Sequence, residues 1–359
     1  MRDGTPDAEA VENASRSSSA LTYPFPEPPG AGAAFDVAEG VKWLRMPLPF
    51  VLDHINVWAL ADGPGWTLVD TGVRSKDITA AWEAALAGPL EGRAPSRVIA
   101  THMHPDHIGL AGWLTRQFDV RLWITRLEYL TCRALVADTG KPAPEDGVSF
   151  YRAAGWSQSQ LNAYRANFGR FGHAVHHLPD SYRRIVDGER ILIGQIEWRV
   201  VTGSGHSPEH ACLWAEREGL FISGDQVLPR ISSNVSVWPT EPDADPLSDW
   251  LASIAKLKAS VPADVLVLPS HGLPFRGLHD RLDALQRGHE RALERLTKLL
   301  SEPRRAVDTF GALFARAIGD DLVGMATGEA MAHLNCLKAR GVACVEADDQ
   351  QVHWWRRIQ

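Results

Sequence analysis

Residues 101–107 read Thr101-His102-Met103-His104-Pro105-Asp106-His107, an H-x-H-x-D-H run that follows directly on the apolar stretch 96–101. In extended chain, residues two apart face the same way, so His102 and His104 can share one cation. Pro105 ends the strand, and the turn it opens re-aims Asp106 and His107 toward a second cation. Imidazoles with a hard carboxylate suit zinc, with manganese or iron as further fits. A lone H-x-H arises readily by chance on a surface; the whole run at a strand end does not.

Three distant residues sit in the same kind of place, a loop after a strand-like run, where function concentrates. His206 lies in Thr202-Gly-Ser-Gly-His-Ser-Pro-Glu-His210, Asp225 in Phe221-Ile-Ser-Gly-Asp, and His271 in Val267-Leu-Pro-Ser-His-Gly. With these in view the chain resembles the metallo-β-lactamase superfamily, nearest its glyoxalase II-like hydrolases, over about residues 40–275. The C-terminal part resembles the winged helix appended in some members. The resemblance implies that His102, His104 and His206 bind one metal, that Asp106, His107 and His271 bind a second, and that Asp225 bridges the two. Asp70, in Leu68-Val-Asp-Thr-Gly, matches the family's carboxylate beneath the site, whose role is to orient a ligand imidazole through its second N–H. Asp106 and Asp70 are thus the carboxylates expected to serve catalysis. His210 reads as a residue that supports a ligand or packs the loop, and not as a ligand itself.

Outward from these motifs, strands are expected at 41–46, 55–60 and 66–69, the last two joined by the hairpin turn Ala61-Asp-Gly-Pro-Gly65. A helix follows at 78–86, a strand at 96–101, a helix at 108–118 and a strand at 120–125. Strand patterns return at 190–193, 196–202, 211–215 and 220–223, then a helix at 247–257, a strand at 265–268 and a long helix at 278–300. Two halves of strands and helices fit an α+β chain built as an αββα sandwich, the fold the resemblance implies. Residues 126–178 are mostly helical in pattern and aromatic-rich, and read as an insertion over one edge of the core. The tail reads as helices at 306–317 and 322–339 and strands at 342–345 and 352–355, a winged-helix-like order. The expected division is a flexible segment 1–33, too poor in apolar residues to offset its ordering entropy, a catalytic domain 34–300 and a winged-helix-like domain 301–359.

Composition narrows the partners. The 359 residues are 45% hydrophobic and 23% charged, as in ordinary globular proteins. A net charge of -7 argues against a chain that coats nucleic acid or an anionic membrane. No apolar run approaches the ~18–20 residues of a membrane helix. Cys132, Cys212, Cys336 and Cys344 form no C-x-x-C pair, which fits reduced thiols and a cytoplasmic location. The 13 tryptophans suit an aromatic pocket or large core fillers equally.

Two divalent metals would make a bridging hydroxide the nucleophile at neutral pH and favour an anionic transition state. No G-x-S-x-G elbow competes with that role. The expected reaction is hydrolysis of a thioester or ester of a small molecule, the covered aromatic insertion suiting an acyl group. A phosphodiesterase or nuclease is the alternative, kept open by the Trp354-Trp355-Arg356-Arg357 ending, although nucleic acid is not the expected partner. Arg230 and Arg276, each shortly after a ligand, are expected to meet an anionic part of the substrate. Trp156 and Tyr164 are expected to line its pocket, and the tail to stabilise the fold or a homodimer. A di-iron redox protein would need a flavin-binding domain with a phosphate loop, for which the tail is too short. A noncatalytic metal scaffold fits less well, because every ligand position is filled.

Overall fold

In the computed structural model, which describes residues 21–49 and 52–358, seven strands form one sheet in chain order: β1 (Ala34–Ala38), β2 (Val41–Pro47), β3 (His54–Asp62), β4 (Gly65–Val69), β5 (Pro95–Ile99), β6 (Leu122–Ile124) and β7 (Arg183–Arg184). β1 to β4 run antiparallel, and β4 to β7 pair in parallel. The second sheet comprises β8 (Arg190–Ile193), β9 (Ile196–Gly203), β10 (His210–Ala215), β11 (Leu220–Gly224) and β12 (Leu266–Pro269), in the order β12-β11-β10-β9-β8. It is antiparallel except for β11 and β12.

The central strands are buried on both faces, and the period of two decides which core each side chain joins. In β3, Trp58 and Leu60 enter the layer between the sheets with Trp43, Trp198, Leu213 and Leu268. Ile55, Val57 and Ala59 point the other way, toward Trp82, Ile108 and Leu114. Those last three belong to α1 (Lys76–Ala87), α2 (Pro105–Ile108) and α3 (Ala111–Phe118), which cover the first sheet. The outer face of the second sheet meets α7 (Pro246–Ser260) and α8 (Leu278–Leu299) through Trp250, Leu257, Leu282 and Leu293. This is the αββα sandwich expected from the sequence. Trp43, Trp58, Trp82, Trp198, Trp250 and Trp355 are fully buried, so tryptophan here is largely core filling.

Three local expectations are corrected. The helix read at 108–118 is two helices, broken at Gly109 and Leu110. The break lets the Leu110 N–H reach the Gly72 carbonyl at 3.1 Å. A Cβ at Gly109 would lie 2.6 Å from that same carbonyl oxygen, so only glycine permits the approach. The helix read at 306–317 is a 3-10 turn, Ala306–Thr309, and one helical turn, α9 (Phe310–Leu313); Gly311, at about 1 kcal/mol below alanine in helix propensity, weakens that run. The winged-helix-like order therefore reduces to one long helix, α10 (Val323–Ala339), and the antiparallel hairpin β13 (Ala343–Ala347) with β14 (His353–Arg357). Finally, residues 1–20 of the segment read as flexible lie outside the described residues. Residues 21–33 are docked: Thr22 and Arg276 exchange backbone hydrogen bonds at 3.2 and 2.9 Å, and Leu21 and Tyr23 pack on the core.

The insertion is helical as read, with α4 (Arg126–Ala137), α5 (Glu145–Ala153) and α6 (Gln158–Asn167). α10 is buried over most of its length, its polar Thr327, His333 and Asn335 included. Its His333 lies beside His289 of α8 at 3.5 Å, its Cys336 beside Ser248 of α7 at 3.6 Å, and its Gly328 against Ser236. One core joins Leu247 and Trp250 to Leu334, Leu337 and Trp355. All four cysteines are free, three of them buried, and no helix of the described residues is long and apolar enough to cross a membrane. Leu334→Ala empties a fully enclosed position, so it should cost about 2–5 kcal/mol. Urea unfolding followed by tryptophan fluorescence should show one transition moved as a whole. A separate early transition, with the remainder unmoved, would refute the shared core.

Candidate metal centre

β4 and β5 are parallel neighbours whose ends open on the same side of the sandwich. Asp70, the first residue after β4, takes a left-handed backbone conformation (φ 62°) that turns its carboxylate under the 101–107 loop. The buried carboxylate accepts the Thr101 N–H and the Thr101 hydroxyl, each at 2.8 Å, and the His107 Nδ1–H at 2.8 Å. Thr71 adds two bonds to the His107 carbonyl, from its N–H and its hydroxyl, both 2.7 Å.

The other rings are fixed in the same manner. His206 donates Nδ1–H to the Asn234 carbonyl and His271 to the His54 carbonyl, both at 2.8 Å. The Thr101 hydroxyl gives its proton to Asp70, so it accepts from His102 Nδ1 at 3.0 Å. Four imidazoles therefore turn Nε2 inward with its lone pair free, the state a metal ligand requires. His104 turns Nδ1 inward instead.

Seven side chains converge. The inward nitrogens of His102, His104 and His206 stand 2.9, 3.0 and 3.3 Å apart. Tetrahedral bonding to one ion at ~2.0–2.1 Å would place such nitrogens about 3.3 Å apart. Asp106 Oδ2 lies 3.3 Å from His271 Nε2 and 3.6 Å from His107 Nε2. Asp225 lies between the groups: Oδ1 is 3.4 Å from both His107 and His271, and Oδ2 is 3.4 Å from His206. The buried atoms His107 Nε2 and Asp225 Oδ1 have no hydrogen-bond partner, which a native interior rarely tolerates. Divalent metal binding fits this donor set: lone pairs aimed inward, carboxylates among them and unpaired buried atoms.

Electrostatics point the same way. Burial, then the surrounding rings, pushes His102 well below its usual range, and burial with His206 pushes His104 to about 3, so both are neutral donors. His107 moves up despite burial, because Asp106, Asp225 and Asp70 surround it. Burial alone would raise Asp225, but His271 and His107 hold it well below the carboxylate range. The carboxylates draw positive charge to this spot.

Further residues support this arrangement, and apart from His210 none was marked by a sequence motif. His210 is stacked on His102 at 4.7 Å, and its Nε2 accepts the Asp225 N–H at 3.1 Å. Asn56 is buried in β3 and donates to the Pro269 and Gly272 carbonyls at 2.9 and 2.8 Å, clamping the loop of His271. His54 Nε2 accepts the Gly272 N–H at 3.0 Å. Asn234, which holds His206 through its carbonyl, is itself held by Glu329 of α10 at 2.9 Å; burial pushes that carboxyl up to about 7. Glu128 in α4 is fully buried, and burial raises its carboxyl although three donors pull the other way. The one available signal for Glu128 was its place on the same helical face as Tyr129 and Cys132.

The residues expected to meet substrate are more scattered. Trp156 stacks on Tyr151 at 4.2 Å and donates its indole N–H to Thr327 of α10 at 2.9 Å; Tyr164 meets Tyr151 edge-on at 4.8 Å. Trp156 thereby fastens the insertion to the C-terminal helix, a half-buried indole needing a partner for its N–H, while Tyr164 packs within the insertion against Tyr151 and Phe168. Arg276 donates to the Asp264 carbonyl. That contact lies just before β12, whereas His271 follows its end, so this bond holds the Arg276 guanidinium at the other end of the strand. Arg230 is exposed, and its neighbour Pro229 packs on Gly272, next to His271.

The comparisons agree with this architecture. The chain matches the family described as the metallo-beta-lactamase superfamily over residues 51–271, and the metallo-beta-lactamase-like C-terminal domain over residues 293–358. The protein belongs to the metallo-beta-lactamase superfamily, a superfamily of metal-dependent hydrolases. The crystal structure of a beta-lactamase domain protein from Burkholderia ambifaria is 40% identical, with a TM-score of 0.88, over 96% of this chain and 100% of that one. The probable metallo-hydrolase YqjP of Bacillus subtilis is 26% identical over 84% of this chain and 93% of its own length. The atrochrysone carboxyl ACP thioesterase of Aspergillus fumigatus is 24% identical over 71% of this chain; the match spans 47% of that protein.

Gly224 immediately precedes Asp225, has φ +52°, and would place a Cβ 2.4 Å from His210 Nε2. Gly224→Ala should therefore displace Asp225 and reduce bound metal, measured by atomic emission after desalting. Gly219→Ala, also at positive φ but with open space around it, should retain metal. Equal metal content in the two variants would show that this contact does not position Asp225.

Proposed function

We propose that the chain is a dinuclear metal-dependent hydrolase of the glyoxalase II-like branch, acting on a thioester or ester. The observation that carries the dinuclear reading is Asp225, whose two carboxylate oxygens face different sets of histidines. His102, His104 and His206 would hold one cation, Asp106, His107 and His271 the other, and Asp225 both. Zinc best suits these donors, with manganese or iron as substitutes. Bound there, the pair would supply Lewis acidity and an activated water at neutral pH.

The chain's own residues prepare that chemistry. Asp70 keeps the His107 proton on Nδ1, and the Asn234 and His54 carbonyls do the same for His206 and His271. Burial of the ligands keeps bulk water from competing and raises the strength of each electrostatic contact. Arg230 stands at the rim, where it can meet an anionic group of the substrate. The thioester reading draws support from the thioesterase relative. It also accords with the absence of a nucleophilic serine elbow from the sequence.

Chelation should abolish hydrolysis in a panel of thioesters, esters, lactones, β-lactams and phosphodiesters, and zinc should restore it. Full turnover in metal-free protein would refute the mechanism, and a phosphodiester preference would refute the substrate class. Asp225→Ala should reduce turnover far more than Asp70→Ala, whose loss should be about 10–100-fold. Equal, mild losses would show that Asp225 is not the bridge.

A further inference from the structure

We infer that Glu128 is a positioning residue for the trio His102, His104 and His206, because one buried carboxylate is bonded both to the loop carrying the first two and to the loop carrying the third. The inference rests on reading those three histidines as metal ligands. Glu128 Oε2 accepts the N–H of Met103, the residue between His102 and His104, at 2.9 Å. Its Oε1 accepts the hydroxyl of Ser207, next to His206, at 2.6 Å, and the Glu209 N–H at 2.7 Å. The tie is reciprocal. The Glu209 carboxylate accepts the Leu127 N–H at 3.0 Å, one of the free amides at the start of α4, and its carbonyl accepts the Thr125 hydroxyl at 2.7 Å. The first turn of the insertion and the 206–209 loop are stapled in both directions, with Glu128 extending the staple to the 102–104 loop.

The chemistry of the three partners explains the residue type. All are donors, and an ionised carboxylate is the side chain that only accepts, on two oxygens. Glutamine has the same size, but its amide would turn an N–H toward one loop's N–H. A packing role would tolerate that exchange; a positioning role would not, since one of the two loops is released.

The test is a zinc titration of the full chain against a chromophoric chelator, for wild type, Glu128→Gln, Ser207→Ala and His102→Ala, with visible spectra of the cobalt-loaded forms. Glu128→Gln should weaken one of the two zinc sites by about 10–100-fold and change the cobalt bands, and Ser207→Ala should weaken the same site by a smaller factor. Wild-type affinity at both sites in Glu128→Gln overturns the inference. Should that variant not fold, Ser207→Ala decides, and its unchanged affinity has the same force. His102→Ala tests the underlying reading separately: it should lose one zinc, and retention of both would overturn the ligand assignment irrespective of Glu128.

Discussion

Burying a carboxylate is costly unless its oxygens are met by donors, and Asp70 shows how this fold turns that cost into geometry. The loop 101–107 must come down onto the end of β4 to supply the Thr101 amide, the Thr101 hydroxyl and the His107 ring. Once it does, His107 has one possible tautomer and one orientation, and the Thr101 hydroxyl is left to accept from His102. The remaining carboxylates, Asp106 and Asp225, then face rings whose lone pairs are already aimed. The centre is organised from below, by a carboxylate that holds its donors without being one of them.

The fold was largely legible in the sequence because its signals are local. The alternation along β3, the Gly-Pro turn after it and the H-x-H-x-D-H run each lie within a few residues, and strand-end loops marked His206, Asp225 and His271. The supporting layer was not legible, for a physical reason. Asn56 matters through carbonyls of the 269–272 loop, and Glu128 through amides of two loops remote from it in sequence. In the sequence, Glu128 is one charge in a helical pattern between Leu127 and Tyr129; only its enclosure distinguishes it from a solvated side chain. The helix expected at 306–317 failed in the opposite sense: its periodicity was adequate, but Gly311 interrupts it and little of it is enclosed.

The tail is more deeply built in than a separate module would be. α10 supplies Glu329 to Asn234, and Asn234 supplies the carbonyl that orients His206. Trp156 ties the insertion to the same helix through Thr327. The insertion and the tail therefore meet each other, and the tail steadies the loop after Asp225.

These ties also constrain the order in which the chain can fold. The bond from His271 to the His54 carbonyl spans 217 residues, the approach of His104 to His206 spans 102, and the bond from Asn234 to Glu329 spans 95. Each such closure must meet its loop entropy before the contact rewards it. The loops that carry His206 and His271 therefore meet the 102–107 loop only through long closures, so the centre forms together with the tertiary fold and has no local precursor.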